Sequence, residues 1–197
     1  MTNKEVFVLS DGTHIPKIGF GTWQISNEDA INAVSFAIKC GYRHIDTAID
    51  YGNEIGVGKA IKLSGVDRKE IFITSKIPAH IKTFQEAKQC IYDSLKSLDV
   101  AYIDLMLIHS PRPWELLWDE KAHRYYEENL NVYRALEEAK NEGLVKSIGL
   151  SNFFIDDVCN ILKNCKIKPV VNQICVFIGN SPKQLISYCN ENDILIE

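Results

Sequence analysis

The chain lacks the sequence features of several large classes of protein. Its 197 residues contain no apolar run that approaches the roughly 18 residues needed to cross a bilayer. The polar start, residues 1–5, lacks the apolar core of a signal peptide. The net charge of -4 leaves no basic surface for nucleic acid and no polybasic patch for a membrane. We therefore expect a cytoplasmic protein that binds neither nucleic acid nor a membrane.

Short motifs for metal, nucleophile and dinucleotide sites are also missing. The six cysteines form no CxxC pair and no zinc spacing, which indicates reduced, structural thiols. The histidines at 44, 80, 109 and 123 show no H-E-x-x-H spacing, so we predict no metal site. There is no G-x-S-x-G nucleophile elbow. Residues 19–24 resemble a dinucleotide-binding turn but lack its third glycine.

What is present is a regular alternation of apolar runs and amphipathic helical stretches. Composition is that of a globular protein, with 46% hydrophobic and 24% charged residues. Residues 6–15 predict a β-hairpin with an Asp-Gly turn. Seven strands are then predicted at residues 17–22, 43–46, 71–76, 103–109, 145–150, 169–172 and 194–197.

Helix start signals separate these strands. Ser26 with Asp29 and Thr83 with Glu86 are capping boxes. Ser181 followed by proline predicts an N-cap with proline at the first helical position. Alternating strands and helices of this kind indicate a parallel sheet covered by helices.

Two folds fit this pattern, an open doubly wound sheet and a (β/α)8 TIM barrel. The missing third glycine argues against the first fold, and polar groups at several strand ends favour the barrel. We predict an incomplete (β/α)8 barrel with about seven strands and an N-terminal hairpin, formed by residues 1–197 as a single domain.

Four polar residues fall at or just after successive strand ends: Asp46, Tyr51, Lys76 and His109. Each alone has a structural explanation; Asp46 could pair with Arg43, for example, and His109 could be a core histidine. Together they would converge on the mouth of a barrel, as in a catalytic site. A phenol beside an ammonium suggests acid–base chemistry, and we expect Lys76 to lower the pKa of Tyr51. Since no side chain delivers a hydride, such a site implies a nicotinamide cofactor.

These residues lie in motifs that resemble those of the aldo-keto reductases. Gly41-Tyr-Arg-His-Ile-Asp-Thr-Ala48, followed by Glu54 and Val57-Gly58, resembles the first family signature. Lys146-Ser-Ile-Gly-Leu-Ser-Asn-Phe153 resembles the second. The likeness extends from the hairpin to the final residue. It implies an NADPH-dependent carbonyl reductase acting on a small aldehyde or ketone.

The resemblance also assigns roles to individual residues. Tyr51 would be the general acid, with Asp46 and Lys76 tuning it and His109 orienting the substrate carbonyl. The implied cofactor contacts are Thr22, Asp46, Ser151, Asn152 and Gln173, and the implied substrate contacts are Trp23, His109 and Trp114. The residues alone instead favour a helix N-cap pair for Ser151 and Asn152 and an ordinary strand-end polar group for Gln173.

Three features limit this interpretation. After His109 the chain has Ser110-Pro-Arg-Pro-Trp114 where many family members have a bulky aromatic residue. The long aromatic segment at residues 111–129 could form a pocket wall or pack over the barrel edge. The chain stops in strand seven, so we expect weak NADPH binding, little turnover and unpaired strand edges that favour association. The alternatives are a non-catalytic binding or regulatory protein on this fold, or a hydrolase with paired carboxylates involving Glu197.

Overall fold

A β-hairpin precedes the main sheet, as predicted. The computed structural model describes residues 5–197, and most of the segment considered for a signal peptide lies outside that range. Strands β1 (Val6–Val8) and β2 (His14–Pro16) pair antiparallel. The turn between them contains Gly12 at φ +86°, a conformation that favours glycine.

The main sheet contains seven strands, all parallel, in the same order as in the chain. This arrangement confirms the predicted strands and curled barrel-type sheet. The strands are β3 (Phe20–Gly21), β4 (His44–Asp46), β5 (Phe72–Ile77), β6 (Ile103–Ile108), β7 (Val145–Ser151), β8 (Val171–Gln173) and β9 (Leu195–Ile196). The helices that alternate with them are α1 (Asn27–Lys39), α2 (Glu54–Leu63), α3 (Phe84–Leu98), α4 (Tyr126–Asn141), α5 (Ile155–Asn164) and α6 (Lys183–Glu191).

Two of the three predicted helix caps form. The Ser26 hydroxyl accepts the Asp29 backbone N–H at 3.1 Å, and the Thr83 hydroxyl accepts the N–H of Glu86 at 3.3 Å. The prediction at Ser181 is wrong. Helix α6 begins one residue later than predicted, after Pro182, and no side chain caps it.

Strand β5 shows how the sheet separates its two faces. Ile73 and Ile77 pack in the main core with the helices, whereas Phe72 belongs to a second, smaller core. Because side chains alternate along a strand, Lys76 lies on the same face as Phe72. The smaller core is closed at the base by two hairpin residues: it comprises Leu9, Ile15, Phe72, Leu105, Leu107, Val170 and Val171. The opposite end of this face therefore carries the polar groups.

Two further observations concern the state of the cysteines and the apolar character of the helices. All six cysteines are free, and Cys189 is the one that is buried. Within residues 5–197, no helix combines the length and apolar character needed to cross a membrane.

Candidate active site

A buried lysine organises the predicted site. Lys76 is 1% exposed, and its ammonium donates to three oxygens. These are the Asp46 carboxylate at 2.5 Å, the Thr47 carbonyl at 3.0 Å and the Tyr51 hydroxyl at 3.4 Å. Each ammonium hydrogen thus has one acceptor, which is what a buried charge requires. The structure therefore brings together three of the four residues that sequence reasoning placed at one strand-end site.

Tyr51 closes a short 3-10 turn, Ile49–Tyr51, between β4 and α2. The next residue, Gly52, has φ +66°, which lets the chain reverse into the helix. Sequence reasoning missed the residue that anchors this turn, Asn53, which is fully buried. Its amide donates to the carbonyls of Thr22 and Ile25, and its oxygen accepts the hydroxyls of Thr22 and Thr47. Asn53 thereby ties together three segments around Tyr51.

The acidity of Tyr51 differs from the sequence expectation. Burial raises the pKa of Tyr51 above its ordinary value of 10, and the Asp46 and Asp50 carboxylates also raise it. Lys76 lowers this pKa, but its effect is smaller than that of burial. The expected net decrease is therefore wrong. Tyr51 holds its proton at neutral pH, as a proton donor must.

His109 lies directly beside Tyr51. The two rings meet edge to face with centroids 5.6 Å apart, and the Trp114 ring packs against the other side of His109 at 5.0 Å. The structure thus places Trp114, a predicted substrate contact, at the histidine. Sequence reasoning missed Asp50, whose carboxylate oxygen is 3.4 Å from Nδ1 of His109. The only sequence signal was its position directly before Tyr51.

Three predicted cofactor residues, Ser151, Asn152 and Gln173, lie at the ends of β7 and β8. The Asn152 amide donates to the His109 carbonyl and to the Ser151 hydroxyl, both at 3.0 Å. The Gln173 amide donates to the second Asp46 oxygen at 2.8 Å. The end of β7 is thus bonded to the His109 backbone, and the end of β8 to the Asp46 carboxylate. Their contact with a cofactor stays a prediction.

The β3–α1 loop carries the two remaining predicted contacts. Thr22 is fully buried, and its hydroxyl donates to the Asp46 carbonyl at 3.0 Å and lies 3.3 Å from the Asn53 side-chain oxygen. Its side chain therefore supports Asp46 and the Tyr51 turn, and a direct cofactor contact stays a prediction. Trp23 is 68% exposed, so it is free to form part of a pocket rim.

The long aromatic segment at residues 111–129 has one aromatic residue beside the site and another packed against a neighbouring helix. Trp114 reaches the site, whereas Trp118 packs against Phe154 at the start of α5. Buried Arg112 fixes the segment by donating to the carbonyls of residues 117 and 119. A groove of about 1020 Å³ lies between this segment and the β8–α6 loop. Its lining includes Asn152 but neither Tyr51 nor His109.

A third residue to which sequence reasoning gave no role supports the strand that carries Lys76. Glu54 is 6% exposed, and its carboxylate accepts the hydroxyls of Ser75 and Ser94 at 2.7 and 2.8 Å. Burial raises the pKa of Glu54, while the two hydroxyls lower it. This carboxyl links α2, β5 and α3 behind the site.

One group of side chains has the composition of a metal site: His44, Asp46 and Glu197, whose ligand atoms lie within 4.8 Å of one another. Both Asp46 oxygens already accept hydrogen bonds from Lys76 and Gln173, and His44 Nε2 lies 2.9 Å from the Thr74 hydroxyl. These existing contacts compete with metal binding. The absence of a metal stays a prediction.

The fold and these contacts define a class of protein. The parallel strands end at one mouth, where a buried lysine–carboxylate pair contacts a protonated phenol. An imidazole packs against the phenol ring. Such an arrangement suits a barrel enzyme that transfers a proton.

Sequence comparison identifies the family. Residues 17–196 match the Aldo/keto reductase family, and the chain belongs to it. It is 41% identical over 174 residues to methylglyoxal reductase DkgA of Escherichia coli (strain K12), covering 88% of this chain and 58% of that protein. It is 37% identical over 195 residues to the glyoxal reductase of Bacillus subtilis (strain 168), covering 98% of this chain and 66% of the relative. The chain thus spans less than two thirds of these relatives.

Solved structures agree with this assignment. An aldo/keto reductase from Brucella melitensis superposes with a TM-score of 0.89 at 41% identity, covering 98% of this chain and 71% of that one. The Bombyx mori aldo-keto reductase in complex with NADP gives 0.87 at 31% identity, covering all of this chain and 66% of that one. The barrel-type fold predicted from the sequence is confirmed by these likenesses.

Proposed function

We propose that this protein reduces small aldehydes or ketones to alcohols with NADPH, and that Tyr51 is the general acid. The observation that carries the proposal is the set of contacts from Asp46 through Lys76 to the Tyr51 hydroxyl. This set lies beside His109 at the mouth of the sheet. Membership of the family and the names of the reductase relatives support it.

The residues at the ends of β7 and β8 fit the amide group of a nicotinamide. Ser151, Asn152 and Gln173 offer hydroxyl and carboxamide groups, which pair with an amide through neutral hydrogen bonds. Gln173 already touches Asp46, so a ring held there would lie next to the proton-transfer residues. When bound, the cofactor supplies the hydride that reaches the carbonyl carbon.

The protein side of the reaction is a controlled proton transfer. Tyr51 holds its proton at neutral pH and donates it as negative charge develops on the carbonyl oxygen. Lys76 stabilises the resulting phenolate at 3.4 Å, and Asp46 keeps the lysine in place. His109 fixes the carbonyl oxygen next to the Tyr51 hydroxyl, and Trp114 borders the substrate beside His109.

A turnover assay with a matched variant tests the proposal. The 197-residue chain is mixed with NADPH and methylglyoxal, and cofactor oxidation is followed by absorbance. We expect slow turnover with weak NADPH binding in the wild type, and a further loss of roughly 100-fold or more in Tyr51→Phe, the range for a missing general acid. Circular dichroism should show that the variant folds normally.

Other results of the same assay are equally decisive. If Tyr51→Phe is as active as the wild type, Tyr51 is not the general acid. If neither protein turns over but NADPH still binds, the non-catalytic binding role is favoured. The engagement of both Asp46 oxygens by Lys76 and Gln173 argues against the hydrolase.

We further propose a reducing, cytoplasmic location and a single partial barrel domain over residues 1–197. The six free cysteines support this compartment, since exposed thiols such as Cys40 and Cys175 persist in a reducing environment.

A further inference from the structure

The imidazole of His109 has a buried ring nitrogen, Nδ1, without a hydrogen-bond partner among the described residues. Nδ1 is buried, and the side chain as a whole is 8% exposed. The Asp50 carboxylate lies 3.4 Å away, within ion-pair distance but outside hydrogen-bond geometry. Buried polar atoms in proteins are nearly always bonded, so a small rotation of either side chain is expected to complete this contact.

Asp50 is well placed to hold the histidine. It is the middle residue of the 3-10 turn that ends at Tyr51, so the carboxylate and the phenol approach His109 from one rigid element. The turn is closed by backbone hydrogen bonds from Tyr51 to Ala48 and from Gly52 to Ile49. The Asp50 side chain is 29% exposed, which lets it change without disturbing the core.

We propose that Asp50 is a positioning residue for His109. Its carboxylate accepts the Nδ1 proton, which sets the ring plane between Tyr51 and Trp114 and points Nε2 at the substrate oxygen. The inference rests on the carbonyl reduction proposed above, and it adds a residue to that site.

The charges around His109 explain why a carboxylate matters there. An imidazole that donates from both nitrogens carries a positive charge, which a neighbouring anion stabilises. Asp50 faces the ring from the turn, whereas Lys76 opposes it from β5 behind Tyr51. When the ring carries a proton on both nitrogens, Asp50 accepts at Nδ1 and Nε2 donates to the same oxygen that Tyr51 protonates. Two preorganised donors then stabilise the developing negative charge.

The test combines a spectrum with kinetics on the 197-residue chain. Histidine labelled with 15N is incorporated into the wild type and into Asp50→Asn, Asp50→Ala and Asp50→Glu. Asp93→Asn is the control, because Asp93 is an exposed residue of α3 bonded to Gln89. His109→Gln assigns the ring signals, and kcat and KM are measured with NADPH and methylglyoxal.

We expect the ring-nitrogen signals of His109 to shift in Asp50→Asn and Asp50→Ala and to return toward the wild type in Asp50→Glu. We expect kcat to fall roughly 10- to 100-fold in the first two variants, as for a lost charge-assisted hydrogen bond. KM should change much less, because the bond matters most when charge develops on the oxygen. Asp93→Asn should match the wild type in both measurements.

Unchanged His109 signals in Asp50→Ala would overturn the inference, and so would shifted signals with unchanged kcat. Failure of the proposed function is distinguishable from both results. If the wild type itself does not turn over, carbonyl reduction fails for this chain, while the spectrum still decides whether Asp50 bonds His109.

Discussion

At the scale of single residues, the buried side chains of Lys76 and Asn53 use every hydrogen that they can donate. Lys76 uses all three hydrogens, and Asn53 uses both amide hydrogens and accepts the Thr47 hydroxyl. Such fully bonded groups are rigid, because any movement leaves a buried polar atom unpaired. The pKa of Tyr51 is therefore set by fixed neighbours as well as by burial.

Lys76→Met tests how strongly one of these neighbours acts. We expect the pKa of Tyr51 to rise above its wild-type value, since the variant removes the group that lowers it. We also expect the free energy of unfolding to fall by about 3 kcal/mol, because Asp46 loses its cation. Carbon-13 tyrosine spectra against pH and urea unfolding measure the two effects. Lys59→Met, at an exposed position of α2, is the control; a Tyr51 titration unchanged in Lys76→Met would contradict the assignment.

Sequence reasoning predicted the four residues that the structure places together at the strand ends, but not the residues that hold them in position. The sequence predicts this group because its members follow apolar runs whose ends meet at one edge of the sheet: Asp46, Tyr51, Lys76 and His109. Asn53 reads as an ordinary helix cap, yet its side chain makes no cap bond and instead reaches Thr22, 31 residues away. Contacts between loops of this kind depend on the folded geometry and leave no local pattern.

At the scale of elements, the regular βα units were predictable and the long loop was not. Strands and caps follow local periodicity. The loop after β6 is held by distant partners: Arg112 lies 3.8 Å from the Asp157 carboxylate, and Lys82 donates to Asn129 at 2.8 Å. Burial lowers the pKa of Lys82 to about 8, which shows how enclosed this anchor is.

Helices α2 and α3 approach each other more closely than ordinary side chains allow. A β-carbon added at Gly58 would overlap the carbonyl oxygen of Leu98. Exchange of glycine for alanine within a helix usually stabilises it by about 1 kcal/mol. For Gly58→Ala we expect the opposite, a loss of about 2 kcal/mol, because the overlap forces the helices apart.

Urea unfolding of Gly58→Ala against Lys59→Ala provides the comparison. Lys59 is exposed on the same helix, so its substitution should change stability by less than about 0.5 kcal/mol. A Gly58→Ala protein as stable as the wild type would show that the helices have room to spare.

At the scale of the whole molecule, the inner face of the sheet changes from apolar at the base to polar at the mouth. The hairpin closes an apolar base, and the polar groups gather at the other end. His44 lies between these regions, packed edge to face on Phe72 with ring centroids 5.0 Å apart. Burial lowers the pKa of His44 from 6.5 to about 4.

This burial predicts an acid sensitivity of the fold. Above pH 6.5 His44 is neutral whether the chain is folded or unfolded. Below it, the unfolded chain takes up a proton that the folded chain excludes until about pH 4. The contribution of His44 to the free energy of unfolding should therefore fall by about 3 kcal/mol across this window, at about 1.4 kcal/mol per pH unit.

His44→Gln isolates the effect, because glutamine can still bond Thr74 but does not titrate. We expect the free energy of unfolding of the wild type to fall relative to that of the variant between pH 6.5 and 4, measured by urea unfolding of both proteins at each pH. Burial raises the pKa of nearby Glu197 to about 7, which acts in the opposite sense between pH 4.5 and 7 in both proteins. His14→Gln, at an exposed hairpin position, should follow the wild type. Parallel curves for His44→Gln and the wild type would refute the assignment.

The hydrogen bond from Gln173 to Asp46 couples site occupancy to acidity. Asp46 and Lys76 both act on the pKa of Tyr51, and Gln173 holds one of the Asp46 oxygens. A ligand that draws the Gln173 amide away from Asp46 changes how tightly Tyr51 keeps its proton. By thermodynamic reciprocity, removing that proton changes the affinity for the ligand by the same factor. Ligand affinity measured against pH thus reports the protonation of Tyr51 even where no substrate is consumed.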